Sequence, residues 1–257
     1  MANKELSSRD LLAYLSYKHQ GDWNKIFADL KNKDISYSND EIRDTLNKIS
    51  TNFITFLDEE YPKELKHSHQ PPFVIYYKGD ISLLKDITKN VAISGNRAPS
   101  LEAQFTLKEL LSDNINKNIV IGGSKGLNEL LVNEYHQNNK IICVVPCGLD
   151  NTYFTNSYMP HCDLVISEYP NDVPPSQNNM CKRIIIMASI AYKTLILESP
   201  KHSSTLLLVD TSHTYGHDVL VVPNCMSKND QYCNNDLIAQ GALAVLTKEM
   251  FLDLLDS

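Results

Sequence analysis

Short apolar runs rich in β-branched residues recur along this chain from about residue 72 onward. Each run is apolar at consecutive positions, a pattern typical of strands that are covered on both faces. Segments long enough for a crossover helix, such as 101–114 and 126–138, separate the runs. The alternation predicts an α/β fold with a doubly wound, mostly parallel sheet. The predicted strands are 73–77, 91–94, 119–123, 141–146, 164–167, 194–198, 219–223 and 242–246.

Residues 1–60 have a different texture, with helical spacing and polar loops. Leucines recur at this spacing within 11–15, and a second stretch places Ile42, Leu46, Ile49 and Phe53 on one helical face. Ser38 precedes two acidic residues, which is a good helix-start signal. We therefore expect a small N-terminal helical domain over 1–60 and a sheet domain over 61–257.

Composition excludes several classes of protein. The 257 residues suit one medium domain with a small appendage, and 42% apolar content argues against disorder as the main state. No apolar run approaches the roughly 18–20 residues that span a bilayer, and the N-terminus lacks an export signal, so we expect a cytoplasmic protein without membrane association. The net charge of −7 argues against non-specific coating of nucleic acid, although a local basic groove is compatible with it.

The six cysteines form no close C-x-x-C pair. Zinc ribbons use such pairs, so the spacing predicts no metal site. In a chain without an export signal, thiols are most often buried small hydrophobic groups. We therefore expect neither disulfides nor a bound metal.

Two glycine-containing loops follow predicted strands, where ligands bind in open parallel sheets. The first contains Gly95 and Arg97, which combine a sharp turn with a planar fork suited to phosphate. The second reads Gly122-Gly123-Ser124-Lys125-Gly126 and precedes a helix, so its N–H groups and Lys125 favour an anion. It is neither a Walker loop nor the G-x-G-x-x-G fingerprint, and a purely structural turn remains the alternative.

Further cations are expected at the same edge of the sheet. Lys182 and Arg183 open a predicted apolar helix over 184–190, and Lys201 follows another strand. Each cation taken singly is more often a solvated surface charge. Together, four strand-end loops offer cations to one edge, an arrangement that suits a phosphate backbone.

The sequence predicts no catalytic residue. It contains no Ser/His/Asp triad or metalloprotease spacing. The strand-end acids Asp150 and Glu168 could act as general bases, but loop carboxylates more often cap a helix or turn.

An ordered set of motifs over about residues 60–247 resembles the DNA-processing protein A (DprA/Smf) family. It consists of Tyr61-Pro62-x-x-Leu65, residues 71–79, Gly95-x-Arg97, Gly148-Leu149-Asp150 with Tyr153, Ser167-Glu168-Tyr169-Pro170 with Pro174-Pro175, Arg183-Ile184-Ile185, and Cys233-Asn234 leading to Gly241-Ala242. The resemblance implies an extended Rossmann-like domain without a nucleotide cofactor. The N-terminal segment is similar in placement to a sterile-alpha-motif-like extension.

The resemblance also implies a function. Such proteins bind single-stranded DNA in natural transformation, protect the incoming strand, help to load the RecA recombinase, and form homodimers through the region after the paired prolines. The residues carried over for DNA contact are Arg97, Lys125 and Arg183, with Gly95, Gly123 and Gly126 shaping the groove. Lys182 and Lys201 are added on charge and position.

The chain departs from the family pattern at several positions. Asn128 replaces an Asp, Val132 a His, Cys181-Lys182-Arg183 an Arg-Asn-Arg, and residues 202–205 a Ser-Gly-Ser-Leu turn. Two other hypotheses therefore stay open. One is an enzyme resembling nucleoside-monophosphate phosphoribohydrolases, in which Glu129 would follow a phosphate-binding loop. The other is a degenerate family member that acts as a protein-interaction module.

Overall fold

A computed structural model describes residues 6–32, 36–151 and 159–257. The described residues form ten α-helices and nine β-strands. The helices are α1 (Ser8–Lys18), α2 (Trp23–Lys31), α3 (Asn39–Leu46), α4 (Lys63–Lys66), α5 (Leu101–Leu110), α6 (Leu127–Tyr135), α7 (Gln177–Ser189), α8 (Ser204–Thr214), α9 (Asn234–Ala239) and α10 (Lys248–Asp256). The strands are β1 (Asn52–Thr55), β2 (Val74–Gly79), β3 (Asn90–Ser94), β4 (Asn118–Ile121), β5 (Ile141–Val144), β6 (Leu164–Ser167), β7 (Lys193–Ile196), β8 (Asp218–Val221) and β9 (Leu243–Ala244).

All nine strands belong to one sheet with the order β1-β2-β6-β5-β4-β3-β7-β8-β9. The pairs β1–β2 and β2–β6 are antiparallel, and the other pairs are parallel. From β3 the chain adds β4, β5 and β6 on one side and then crosses over to add β7, β8 and β9 on the other. The predicted doubly wound, Rossmann-like sheet is confirmed, and its topological switch point lies between β3 and β7.

The consecutive apolar residues of each strand serve two cores, one on each face of the sheet. In β3, Val91 and Ile93 belong to one buried cluster and Ala92 to the other. The same division separates Ile119 from Val120 in β4. Each fully buried aliphatic side chain of this size contributes about 1.5–3 kcal/mol, so covering both faces accounts for the continuous apolar runs.

The helical region, defined here by the described residues between 6 and 46, has a small core of its own around Tyr14, Leu15, Ile26 and Ile42. Local sequence sets its helix starts: Ser7 and Asp10 form a capping box at α1, and the Ser38 hydroxyl accepts from the Glu41 N–H at α3. Ser38 is thus the helix cap that the sequence predicts.

The region also contacts the sheet domain. The Tyr76 hydroxyl donates to Ser16 Oγ over 3.0 Å, and Trp23 Nε1 donates to the Pro71 carbonyl over 3.0 Å.

The first strand was not predicted, and the expectation of a helix through Phe53 is wrong. Helix α3 ends at Leu46, and Phe53 lies in β1 opposite Tyr76 of β2. The Arg9 guanidinium lies 4.3 Å from the centre of the Phe53 ring. Pairing with β2 and packing against α1 decide this segment, and neither is visible in local spacing. The sheet therefore includes residues 52–55, within the span assigned to the helical extension.

None of the six cysteines, all of which lie in the described residues, forms a disulfide, and they are less uniformly buried than expected. Cys143 and Cys147 are buried, whereas Cys181 and Cys225 are exposed. Among the described residues, no group of His, Cys, Asp and Glu side chains is arranged to hold a metal ion. In the same residues, no helix is both long and apolar enough to cross a bilayer.

Candidate nucleic-acid interface

A pocket of about 380 Å³ lies at the carboxyl ends of β3, β4 and β7, which is the topological switch point. We call it the switch-point pocket. Two arginines, Arg97 and Arg183, line it together with small polar residues, and none of its lining residues is acidic. The lining residues are Ile93, Ser94, Gly95, Asn96, Arg97, Gly122, Ser124, Asn128, Arg183, Ile184, Met187, Pro200, Ser203, Ser204, Thr205 and Leu208. Its charge therefore favours an anion.

The two glycine loops meet backbone to backbone. Gly126 has φ = +81°, and a Cβ at this position would lie 1.8 Å from the Arg97 carbonyl oxygen. Only glycine allows both this conformation and this approach. The contact brings the loop that carries Arg97 against the loop that carries Lys125.

Two further glycines shape the same surface. A Cβ at Gly95 would lie 2.7 Å from Leu127 Cδ2, so a larger residue would press on the start of α6. Gly123 has φ = +63° and packs beside Val145 and Cys143. Of the three predicted glycines, Gly95 lines the switch-point pocket, and Gly123 and Gly126 belong to the adjoining glycine loop.

Arg183 is positioned differently from the prediction. Helix α7 begins at Gln177, capped by Ser176, so Lys182 and Arg183 lie inside the helix rather than opening it. Arg183 is only 8% exposed, and its Nη1 donates to the Gly122 carbonyl oxygen. Its guanidinium therefore holds the glycine loop through the Gly122 carbonyl oxygen, and it also contributes positive charge to the pocket.

Arg97, Lys125 and Lys201 are exposed. None of these three forms an ion pair with a carboxylate of the described residues. Arg97 lines the switch-point pocket, Lys125 stands in the adjoining glycine loop, and Lys201 follows Pro200, which also lines it. The structure thus leaves these cations available at one edge of the sheet.

Sequence reasoning missed one contributor, the N-terminus of α8. Ser203, Ser204 and Thr205 at its start line the pocket, and the Ser203 side chain makes no capping hydrogen bond to the helix. The start of this 11-residue helix therefore lies beside the pocket, where the helix dipole adds partial positive charge. The run of hydroxyl residues at 203–205 was the available signal.

Lys182 does not line the switch-point pocket. Its Nζ donates to Gln70 Oε1, and it lines a separate pocket beside Glu168. Glu168 is 6% exposed and accepts from the Tyr169 hydroxyl over 2.5 Å. Burial raises the pKa of Glu168 to about 7, although the Tyr169 hydrogen bond and the charge of Lys182 oppose the shift.

The other strand-end acid has a structural role. Asp150 accepts from the Ser50 hydroxyl and from Lys78 Nζ, the latter over 3.0 Å. These partners, the Ser50 hydrogen bond foremost, hold the pKa of Asp150 below its usual value. Asp150 therefore ties the loop after β5 to neighbouring segments. Tyr153, which the family resemblance included, lies outside the described residues.

The enzymatic hypothesis depends on Glu129. This residue lies in the first turn of α6 and is not among the lining residues of the switch-point pocket. Asn128, two residues after the glycine loop, donates to Ser124 Oγ over 2.8 Å and orders that loop. The geometry of the described residues therefore does not favour glycosidic cleavage.

The family model of DNA recombination-mediator protein A matches residues 52–256, which include every strand of the sheet. The chain belongs to this family. The DNA recombination-mediator protein A match begins at the first residue of β1 and leaves the helical region outside it.

Curated relatives of this family agree with the match. The chain is 27% identical to DNA processing protein DprA of Streptococcus pneumoniae over 198 residues, covering 74% of this chain and 70% of the relative. It is 24% identical to DprA of Bacillus subtilis over 208 residues, covering 77% of this chain and 69% of that relative. It is also 25% identical to protein Smf of Synechocystis over 210 residues, covering 78% of this chain but only 53% of that relative.

Solved structures of the family share the fold. The X-ray structure of S. pneumoniae DprA aligns with a TM-score of 0.73 and 22% identity, covering 96% of this chain and 93% of that one. DprA from Helicobacter pylori aligns with a TM-score of 0.69 and 24% identity, covering 80% and 96%. The extended Rossmann-like architecture is therefore that of DprA proteins.

Proposed function

We propose that this protein binds single-stranded DNA along the carboxyl edge of its sheet and is not an enzyme. The switch-point pocket supports the proposal, because two arginines and a helix N-terminus meet there without a lining carboxylate. Relatives carry the name DNA processing protein, and the H. pylori relative is described by its single-stranded DNA binding mode. Phosphates would contact Arg97, Lys125 and Arg183, with Lys201 and Lys182 extending the path.

We assign this binding to natural transformation in the cytoplasm. Incoming single strands would be protected from nucleases, and the bound protein would help to load RecA. The test is RecA-dependent ATP hydrolysis on single strands already covered by a single-strand-binding protein. Addition of this protein should shorten the lag before hydrolysis, and an unchanged lag would contradict RecA loading without affecting the DNA-binding proposal.

The groove is tested by charge removal. Arg97→Ala and Lys125→Ala should each weaken oligo(dT) binding and lower the slope of log affinity against log salt by about 0.7 per lost phosphate contact. Fluorescence anisotropy at two salt concentrations measures both quantities. Lys89→Ala is the matched control, because Lys89 is an exposed cation at the opposite, amino end of β3. If all three variants bound oligo(dT) with the same affinity, Arg97 and Lys125 would not be DNA-contacting residues.

A homodimer is part of the same proposal. The region after the paired prolines forms α7, whose middle and end are largely buried within this protomer. An exposed apolar surface is instead found at β9, which forms one edge of the sheet. There Leu246 is 68% exposed beside Leu243 and Met250. We place the second copy there. Leu246→Glu should shift the mass measured by light scattering from dimer to monomer, and a monomeric wild type would contradict the assignment.

A further inference from the structure

The second pocket, which contains Lys182, lies at the carboxyl end of β6 and has a volume of about 330 Å³. We call it the β6 pocket. The loop after β6, the start of α7 and residues 19–25 of the helical region form its walls. Its hydrogen-bonding side chains are His19, Gln20, Asp22, Trp23, Asn24, Lys25, Gln70, Glu168, Tyr169, Asn178, Asn179 and Lys182, and Asp22 pairs with Lys25. The pocket thus combines the buried carboxyl of Glu168 with amide and ammonium donors.

Glu168 is the unusual group in this pocket. Its carboxyl is buried, and it forms no ion pair with any Lys, Arg or His of the described residues. Lys182 donates to Gln70 instead, and the neighbouring Tyr169 hydroxyl donates to Glu168. Burying a carboxyl without a cation costs stability, so a binding role gives a reason for its presence.

The donors and acceptors of the β6 pocket match one DNA base. A carboxylate accepts two adjacent hydrogen bonds, and guanine is the base that presents two adjacent donors, N1–H and the N2 amino group, on its pairing edge. Guanine O6 lies next to these donors and accepts from an ammonium or amide group. Thymine offers one N–H, and adenine and cytosine each offer a single amino group.

The β6 pocket also lies where a bound strand can reach it. Strand β6 runs parallel to β5, and β5 to β4, so their carboxyl ends share one edge of the sheet. Lys182 of the β6 pocket and Arg183 of the switch-point pocket are consecutive residues of α7. One DNA strand can therefore place a phosphate in the first pocket and a nearby base in the second.

We propose that the β6 pocket binds a guanine base of the DNA strand, with Glu168 accepting from N1–H and N2 and with Lys182 or an amide donating to O6. This proposal rests on the proposed binding of single-stranded DNA. It gives the protein a base preference that phosphate contacts alone cannot supply. It also gives the helical region, through Asn24, a part in DNA recognition.

The test compares oligo(dT) with an oligonucleotide of equal length in which every fourth nucleotide is dG. Wild type should bind the dG-containing strand about 5- to 10-fold more tightly, the lower range for one bidentate base contact. Glu168→Gln should abolish this preference and leave oligo(dT) affinity unchanged. Exposed Glu109→Gln is the matched control and should keep the preference.

The outcomes separate the two proposals. A wild type that binds both strands equally, or a Glu168→Gln variant that keeps the preference, overturns the guanine site while DNA binding stands. If neither strand binds, the proposed function fails, and a titration with dGMP followed by NMR then decides the pocket. Saturable shifts in wild type that are absent in Glu168→Gln support the guanine site, and no shifts in wild type overturn it.

Discussion

At the scale of single residues, burial divides the two arginines of the switch-point pocket into different roles. Arg97 is exposed, so its side chain can take the proposed phosphate contact at little cost to folding. Arg183 is 8% exposed, donates to Gly122, and packs beside the position where a Gly122 Cβ would stand. Its side chain therefore stabilises the glycine loop and also adds positive charge beside it.

We expect Arg183→Ala to lower the free energy of unfolding by about 2 kcal/mol or more, because it leaves a buried carbonyl without its donor and opens a cavity. Arg97→Ala should change the same quantity by less than about 0.5 kcal/mol, as for most exposed sites. Urea denaturation of both variants measures the difference. Equal losses would contradict the supporting role of Arg183.

Local sequence could predict at which edge of the sheet Arg97 lies, but not that Arg183 is buried against the glycine loop. Gly95 and Arg97 directly follow a predicted strand, and the end of a parallel strand fixes their edge. Arg183 was assigned to a helix start because residues 184–190 are apolar. Which side of α7 faces the glycine loop depends on its packing against the sheet, which spacing along the chain does not encode.

At the scale of elements, the contact between the two glycine loops holds the start of α6 against the loop after β3. Gly126 permits this contact through its positive φ and its missing side chain. Gly216 also has a positive φ, +72°, but a Cβ there would meet no atom within 4 Å. A substitution at Gly216 therefore introduces backbone strain alone, whereas a substitution at Gly126 introduces backbone strain together with steric overlap.

We expect Gly216→Ala to cost about 1–2 kcal/mol of stability through backbone strain alone. Gly126→Ala adds an overlap with the Arg97 carbonyl, so we expect a loss of about 3 kcal/mol or more. It should also weaken oligo(dT) binding, because Arg97 and Lys125 would move apart. Thermal unfolding and anisotropy test this, and similar losses for both variants would show that the loops do not depend on the contact.

At the scale of the whole molecule, the helical region and the sheet domain meet near Glu168. A Cβ at Gly21 would lie 2.8 Å from the Glu168 carbonyl oxygen, so the two parts approach closely there. Nearby titratable groups include Tyr61, Tyr169 and Lys182, with Asp22 beside Tyr169. Ionisation of Glu168 therefore places a buried charge at the junction.

The pKa of Glu168 is about 7, above its usual value of 4.5, so between these pH values the folded state binds more protons than the unfolded state. The stability of the wild type should accordingly fall as the pH rises through this window. The loss due to this group is about 3 kcal/mol across the whole window, since each pKa unit corresponds to about 1.36 kcal/mol.

Glu168→Gln should be more stable than wild type at pH 8 and should lose this advantage at pH 5. Urea denaturation at the two pH values measures the difference. Glu109→Gln, an exposed site, serves as the control. A constant difference between wild type and Glu168→Gln at both pH values would show that the carboxyl keeps its ordinary titration.

Residue patterns alone were enough to predict the class of fold and the edge of the sheet to which the glycine loops belong. Strand runs buried on both faces require covering helices, and parallel strands end together, so periodicity alone places the loops of Gly95 and Gly123. The folded chain was needed to show that Phe53 joins the sheet and that the buried Arg183 donates to Gly122. It was also needed to show that α8 begins at the switch-point pocket and that Lys182 and Glu168 line one pocket. These outcomes depend on contacts between residues far apart in the chain, and local patterns carry no information about which faces meet.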